Sequence, residues 1–380
     1  MIVTDVVIIG GGIAGASVGF RLGGRCDAVI LEAEEQPGYH STGRSAALYT
    51  ATYGHPIIRG LTAASREFLA DPPGDFADTP LLYPRGALWV AREDQRVRLE
   101  GYLAEVATFE PTVRACSLDE SLSLCPVLER SYVATAIFEA RASDIDVHAL
   151  HRGYLRSFKR AGGRLVTGAR VCRIQPVAGG WEVETADERY ACRVVVNAAG
   201  AWADEVAVLG GAIPVGLRPK RRTAITFDSA AQSHTWPCVL DLDEEFYFKP
   251  DAGRILASPA DETPVPPSDV QAEELEIAMT VDRIERATTL RIERITAKWA
   301  GLRTFTADKV PVVGIDPLAA GFFWLAGQGG YGIMTSPALG ELAAEIILGG
   351  AIPKHIAVLG IEEHTLSPAR FSRCSHADRD

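Results

Sequence analysis

The stretch from Asp5 to Glu32 constrains this chain more than any other. Asp5-Val6-Val7-Ile8-Ile9 is a short, unbroken β-branched run, the pattern of a strand buried on both faces of a parallel sheet. Gly10-Gly11-Gly12-Ile13-Ala14-Gly15 follows directly. Ala14, Val18 and Leu22 then recur at helical spacing until Gly23-Gly24 stops the helix. A second apolar run, Ala28 to Leu31, ends at Glu32. Gly10, Gly12 and Gly15 thus fit G-x-G-x-x-G between a strand and a helix, with an acid twenty residues after Gly12. That is the pattern of a dinucleotide site. Gly10 permits the tight turn, Gly12 lets a pyrophosphate approach the backbone, and Gly15 lets helix and strand pack closely. The helix N-terminus offers N–H groups and partial positive charge to the phosphates. Glu32 can accept both hydrogen bonds of a ribose diol, beside Ala33.

Composition excludes other classes. With 380 residues, 47% hydrophobic and 23% charged, the chain can bury a large core and is neither disordered nor fibrous. A net charge of -11, without a long Lys/Arg run, argues against nucleic acid as a partner. The seven cysteines are scattered with no CxxC pair, so neither a disulfide framework nor a zinc site is indicated and a reducing, cytoplasmic setting is expected. No basic leader precedes Asp5, and no apolar run reaches the ~18 residues of an integral membrane segment.

Downstream of the ribose position, Gln36 to Ala47 is rich in small and hydroxyl residues. Later, Val194-Val195-Val196-Asn197-Ala198-Ala199-Gly200-Ala201-Trp202 reads as a buried strand ending in small residues. Together with PGYHSTGRSAA (37–47), GYLRSFKRAGG (153–163), NAAGAWAD (197–204), PKRRTA (219–224), FYFKPDAG (246–253), WAGLRTF (299–305) and GQGGYGI (327–333), these segments resemble the D-amino-acid-oxidase-like superfamily of FAD-dependent oxidoreductases. Within it the resemblance is nearest to the bacterial D-arginine dehydrogenases.

The resemblance implies an α/β fold: a Rossmann-like FAD-binding domain (1–50, 148–210 and 300–366) interleaved with an α+β substrate domain (51–147 and 211–299) built on a mainly antiparallel sheet. Residues 367–380 read as a polar tail. The patterns predict a helix from Pro56 to Leu69 and a helix capped by Asp146. They also predict strands at 170–174, 181–185 and 190–196, and a hairpin around residues 250–253.

The implied cofactor is non-covalent FAD, held by Gly10, Gly12, Ala14, Gly15, Glu32, Ala33, Ser41, Thr42, Arg44, Ser45, Ala46, Ala47, Leu48, Val171, Ala199, Gly200, Trp202, Gly329, Gly330, Tyr331, Gly332 and Ile333. A helix starting near Met334 would direct its positive end at the flavin. Amino-acid oxidation needs a carboxylate clamp, and arginine's planar fork suits it. The resemblance assigns that clamp to Arg222 and Arg303, with Tyr53 and Tyr247 lining the pocket. Arg221, one residue away on a strand, should point to the opposite face.

Side-chain pocket positions fall at Leu48, Thr50, Ala87 and Gly330. Where the D-arginine dehydrogenases carry a glutamate and a histidine, this chain has Ala87 and Leu48. That departure predicts neutral substrates, because an unpaired buried cation costs several kcal/mol. His148/His151 and the Asp241/Asp243/Glu244/Glu245 cluster lack the ligand patterns of a metal site; they read as packing residues and a solvated turn. The expected reaction is oxidation of a neutral or apolar D-amino acid to its imine by hydride transfer to flavin N5. Hydrolysis then yields a 2-oxo acid and ammonia, and the electron acceptor is open. Two alternatives stand beside it: oxidation of secondary amines or amino acids of the sarcosine, glycine or proline type, and a non-catalytic flavin-binding redox sensor.

Overall fold

The computed structural model describes residues 1–229 and 234–371. Of the expected tail, Pro368–Phe371 forms a short helical turn against the body, and 372–380 lies outside the described residues.

A six-stranded sheet runs in the order 164–166, 28–31, 6–9, 194–197, 322–326, 312–315, parallel except for its last pair. Its central strands alternate between two cores. Ile8 and Ile30 face the helices Ile13–Leu22, Val147–Arg160 and Gly332–Ile347, meeting Val18, Tyr154, Phe158 and Leu342. Val7 and Val29 face the other way, onto Trp181, Val183 and Trp324 under a four-stranded sheet. Burial on both faces is why Val6–Ile9 reads as an unbroken apolar run.

The second large sheet has ten strands, antiparallel at every pairing but one, where Cys238–Asp241 lies parallel to Ala87–Ala91. Period-two alternation again separates its faces. Leu88, Val90, Val239 and Phe248 pack on Ile277 and Ile284 of the helix Glu274–Ala287. Trp89, Cys238, Leu240 and Tyr247 face the opposite side, toward a cavity. The short helical turn Ser41–Arg44 docks on the second sheet, where Ser41 Oγ donates to Leu302 O at 2.7 Å.

Several expected elements shift by identifiable causes. The helix at Pro56 extends to Ala70, and Asp146 caps the helix Val147–Arg160 by accepting from Ala149 N–H at 2.8 Å. The expected strand at 190–196 is two strands in different sheets. Arg193 and Val194 both donate to Asp5 O, which turns the chain from one sheet to the other. The strand expected at 170 begins at Arg173, leaving Arg170 and Val171 free to line a cavity. The helix expected near Met334 starts at Gly332.

Candidate functional site

Two adjoining cavities run along the C-terminal edge of the parallel sheet, where ligands of open α/β sheets bind. The first is lined by Gly10, Gly12, Glu32, Ala33, Ser41, Val171, Ala199, Gly200 and Trp202. The second is lined by Gly12, Ala14, Ser41, Thr42, Arg44, Ser45, Ala46, Gly200, Gly329, Gly330, Gly332 and Ile333, together with Arg222 and Arg303. The glycine turn is pinned from three sides. Gly11 N–H donates to Glu32 Oε2 at 2.7 Å, Ile13 N–H donates to Thr42 Oγ1 at 3.0 Å, and Gly11 C=O meets His151 Nε2 at 2.8 Å. Gly15 is held to glycine by contact, since a Cβ there would lie 1.9 Å from Gly10 O.

His151 is a residue that sequence reasoning missed, treating it only as packing. A carbonyl can only accept, so Nε2 carries the proton. Burial holds the imidazole below its ordinary pKa, which favours that neutral donor. His151→Leu would strand a buried carbonyl at a cost of ~1–3 kcal/mol. FAD should then bind about tenfold or more weakly in a fluorescence titration of the apoprotein, with an unchanged circular dichroism spectrum.

Arg222 and Arg303 come from adjacent antiparallel strands, with Arg222 opposite Gly301. Both guanidinium groups line the second cavity and also a third. Arg222 donates through Nε to Asp261 O at 2.8 Å, while its buried Nη2 has no hydrogen-bond partner. Glu262 Oε1 is 3.6 Å from that nitrogen. Arg303 donates to Tyr53 OH at 3.2 Å, and a Cβ at Gly330 would lie 2.7 Å from its guanidinium carbon. Glycine at 330 is therefore what leaves Arg303 its place. Arg221 turns to the opposite face and pairs with Glu273 and Glu276. Burial keeps the Tyr53 phenol above its ordinary pKa, so it stays protonated, and it donates to Glu244 Oε2 at 2.9 Å.

The third cavity is bounded by Ala47, Leu48, Thr50, Tyr53, Trp89, Cys238, Leu240, Tyr247, Gly330 and Met334. Two expected positions lie elsewhere. Ala87 is fully buried and does not line the cavity. Its cross-strand partner Glu139 binds Thr50, Ala51 and Thr52, whose loop covers this end of the sheet. Tyr331 turns away from the cofactor side and packs its ring 5.1 Å from that of Tyr53. Residues 242–245 form the expected turn, with Asp243 and Glu244 exposed, but Asp241 does not belong to it. Asp241 is wholly buried, accepts from Tyr132 OH at 3.1 Å, and lines the cavity with Glu244 and Lys249. Asp243 is bound by Arg92, Gln95 and Arg98.

Among the described residues no helix is long and apolar enough to cross a membrane, and no cluster of His, Cys, Asp and Glu is arranged to hold a metal.

The family model described as DAO, FAD dependent oxidoreductase, matches residues 5–346. Glycine oxidase of Geobacillus kaustophilus (strain HTA426) is 24% identical, over 94% of this chain and 99% of that protein. The mitochondrial dimethylglycine dehydrogenase of Mus musculus is 26% identical over 92% of this chain. The match spans only 43% of that longer relative. Among solved structures, L-proline dehydrogenase from P. horikoshii superimposes with a TM-score of 0.82 at 20% identity, covering 98% of each chain.

Proposed function

Because this chain belongs to the DAO family of FAD-dependent oxidoreductases, we propose that it oxidises the C–N bond of an amino carboxylate held between Arg222 and Arg303. The carrying observation is the pair of guanidinium groups on neighbouring strands, Arg222 buried with an unpartnered N–H and Arg303 half-buried, both bordering the cofactor cavity and the third cavity. A carboxylate supplies the acceptors these donors lack.

The residues present fit FAD. Glu32 stands at the ribose end, the pinned glycine turn and the Ile13–Leu22 helix N-terminus at the pyrophosphate, and the Gly329–Ile333 segment at the flavin. FAD, when bound, supplies the hydride acceptor. The chain does the rest. Arg222 and Arg303 fix the carboxylate and thereby the Cα–H bond, and the Tyr53 and Tyr247 hydroxyls stand beside them at the clamp. Trp89, Leu240 and Met334 keep water from the reacting carbon. Loss of the substrate ammonium proton frees the lone pair that expels hydride and leaves a C=N bond, which water hydrolyses to a carbonyl and an amine.

Two sequence relatives act, by name, on glycine and dimethylglycine. They support glycine or N-alkyl amino acids over the D-amino acid expected from the sequence. A specific observation keeps the second reading. The cavity is walled by the apolar side chains of Leu48, Trp89, Leu240 and Met334, which suits a neutral D-amino acid. A steady-state ranking of kcat/KM separates them. Glycine, sarcosine or dimethylglycine should lead under the first reading, and D-Leu, D-Met or D-Phe under the second. In both, D-Arg and D-Lys rank last, because a further cation would join Lys249 and two arginines, and the two acids of the wall are already engaged, Asp241 by Tyr132 and Arg92 and Glu244 by Tyr53. D-Arg in first place would overturn the neutral pocket and assign a cation to Asp241 or Glu244.

A further inference from the structure

Glu139 ends the strand Thr135–Glu139, directly across from Ala87, and is fully buried. Cross-strand partners share a face, so it lies on the cavity side of the sheet without lining the cavity. Its three hydrogen-bond donors are neutral and consecutive. Thr50 Oγ1 donates to Oε2 at 2.6 Å, Ala51 N–H to Oε1 at 2.8 Å, and Thr52 Oγ1 to Oε2 at 2.7 Å. Trp89 Nε1 donates to Thr52 Oγ1 at 3.0 Å, and Tyr102 OH donates to Thr52 O. The next residue is Tyr53, which contacts Arg303.

We propose that Glu139 is the positioning residue of the substrate clamp, anchoring residues 50–52 so that Tyr53 presents its hydroxyl beside Arg303. The inference rests on reading Arg222 and Arg303 as a carboxylate clamp. A buried carboxylate is costly unless its lone pairs are met, and here they are met by one short segment of backbone and hydroxyls. Burial pushes the Glu139 carboxyl above the usual range. A carboxylate suits the task better than an amide. Thr52 Oγ1 already accepts from Trp89, so its own proton must go outward to an acceptor, while Ala51 N–H needs a second acceptor on the other oxygen. Glutamine offers only one oxygen and would face one of these donors with an N–H.

The test uses the FAD-bound protein titrated with propionate, followed by perturbation of the flavin absorption spectrum. Wild type should saturate. Glu139→Ala should weaken propionate about tenfold or more, Glu139→Gln by less, and Thr52→Val should also weaken it, all with unchanged FAD content. In turnover, KM should rise more than kcat falls. Should Glu139→Ala not fold, the glutamine and valine variants carry the same comparison. A lowered Tm with wild-type propionate affinity in these variants overturns the proposal, leaving Glu139 a purely structural acid. No propionate response in wild type itself overturns the clamp, and this inference with it.

Discussion

Arg303→Met is expected to lower kcat/KM for the best substrate by roughly 30-fold to 1,000-fold. The guanidinium is half-buried, borders both the cofactor cavity and the third cavity, and donates to Tyr53 OH. Its loss leaves a carboxylate without its charge-assisted donors and the phenol without its donor, about 2–4 kcal/mol in all. Arg222→Met should cost at least ~2 kcal/mol by the same reasoning, and its FAD content should match wild type. Arg303→Lys should fall between, because it keeps charge but not the planar fork. Steady-state kinetics normalised to bound FAD check all three. Turnover within twofold of wild type in both methionine variants would remove the clamp from the account.

Gly15→Ala should be the most damaging single methyl in the molecule. The added carbon would sit 1.9 Å from Gly10 O and 3.2 Å from Ile8 Cγ2. Neither the turn nor the central strand can yield, so the helix Ile13–Leu22 must lift from the sheet. Overpacking of this kind costs about 1–3 kcal/mol or more, and the displaced first turn no longer meets the phosphates. The variant should be isolated nearly colourless, with a Tm lowered by several degrees. Gly12→Ala is the contrasting case. Its added carbon meets only Thr42 Oγ1, at 3.3 Å, so it should fold with near-wild-type stability and still lose FAD, through the methyl's intrusion on the pyrophosphate. Flavin absorbance per protein and a thermal melt distinguish the two.

How much of this was legible in the sequence follows the range of the interactions. Local patterns sufficed for the strand at Val6, the glycine turn, the cap at Asp146 and the hairpin before Arg254, because turn geometry and alternation are written within a few residues. Period-two alternation also separated Arg221 from Arg222. The resemblance brought Tyr53, Arg222 and Arg303 into one list, and the structure brings them into one place. What escaped depends on cross-strand and cross-layer partners. Ala87 looks like a pocket residue until Glu139 and the loop it binds are seen over that end of the sheet. Glu139 itself left one trace, an acid at the end of the apolar run Ala136–Phe138. His151 and Gly11 are 140 positions apart, and no spacing rule joins them. Asp241 looked solvated because its neighbours are acidic, whereas Tyr132 and Arg92, far along the chain, bury it.

The central claim is that this flavoprotein recognises its substrate by the carboxylate and oxidises the adjacent C–N bond. Anaerobic mixing of the FAD-bound protein with matched pairs, each an amino acid and the amine lacking its carboxylate, tests this most directly: glycine against methylamine, sarcosine against dimethylamine, D-Leu against isoamylamine. The account predicts that at least one amino acid bleaches the oxidised flavin band while its partner amine leaves it intact at the same concentration, and that Arg303→Met abolishes the difference. Equal bleaching by acid and amine, or no bleaching by any amino acid of either enantiomer, would contradict it.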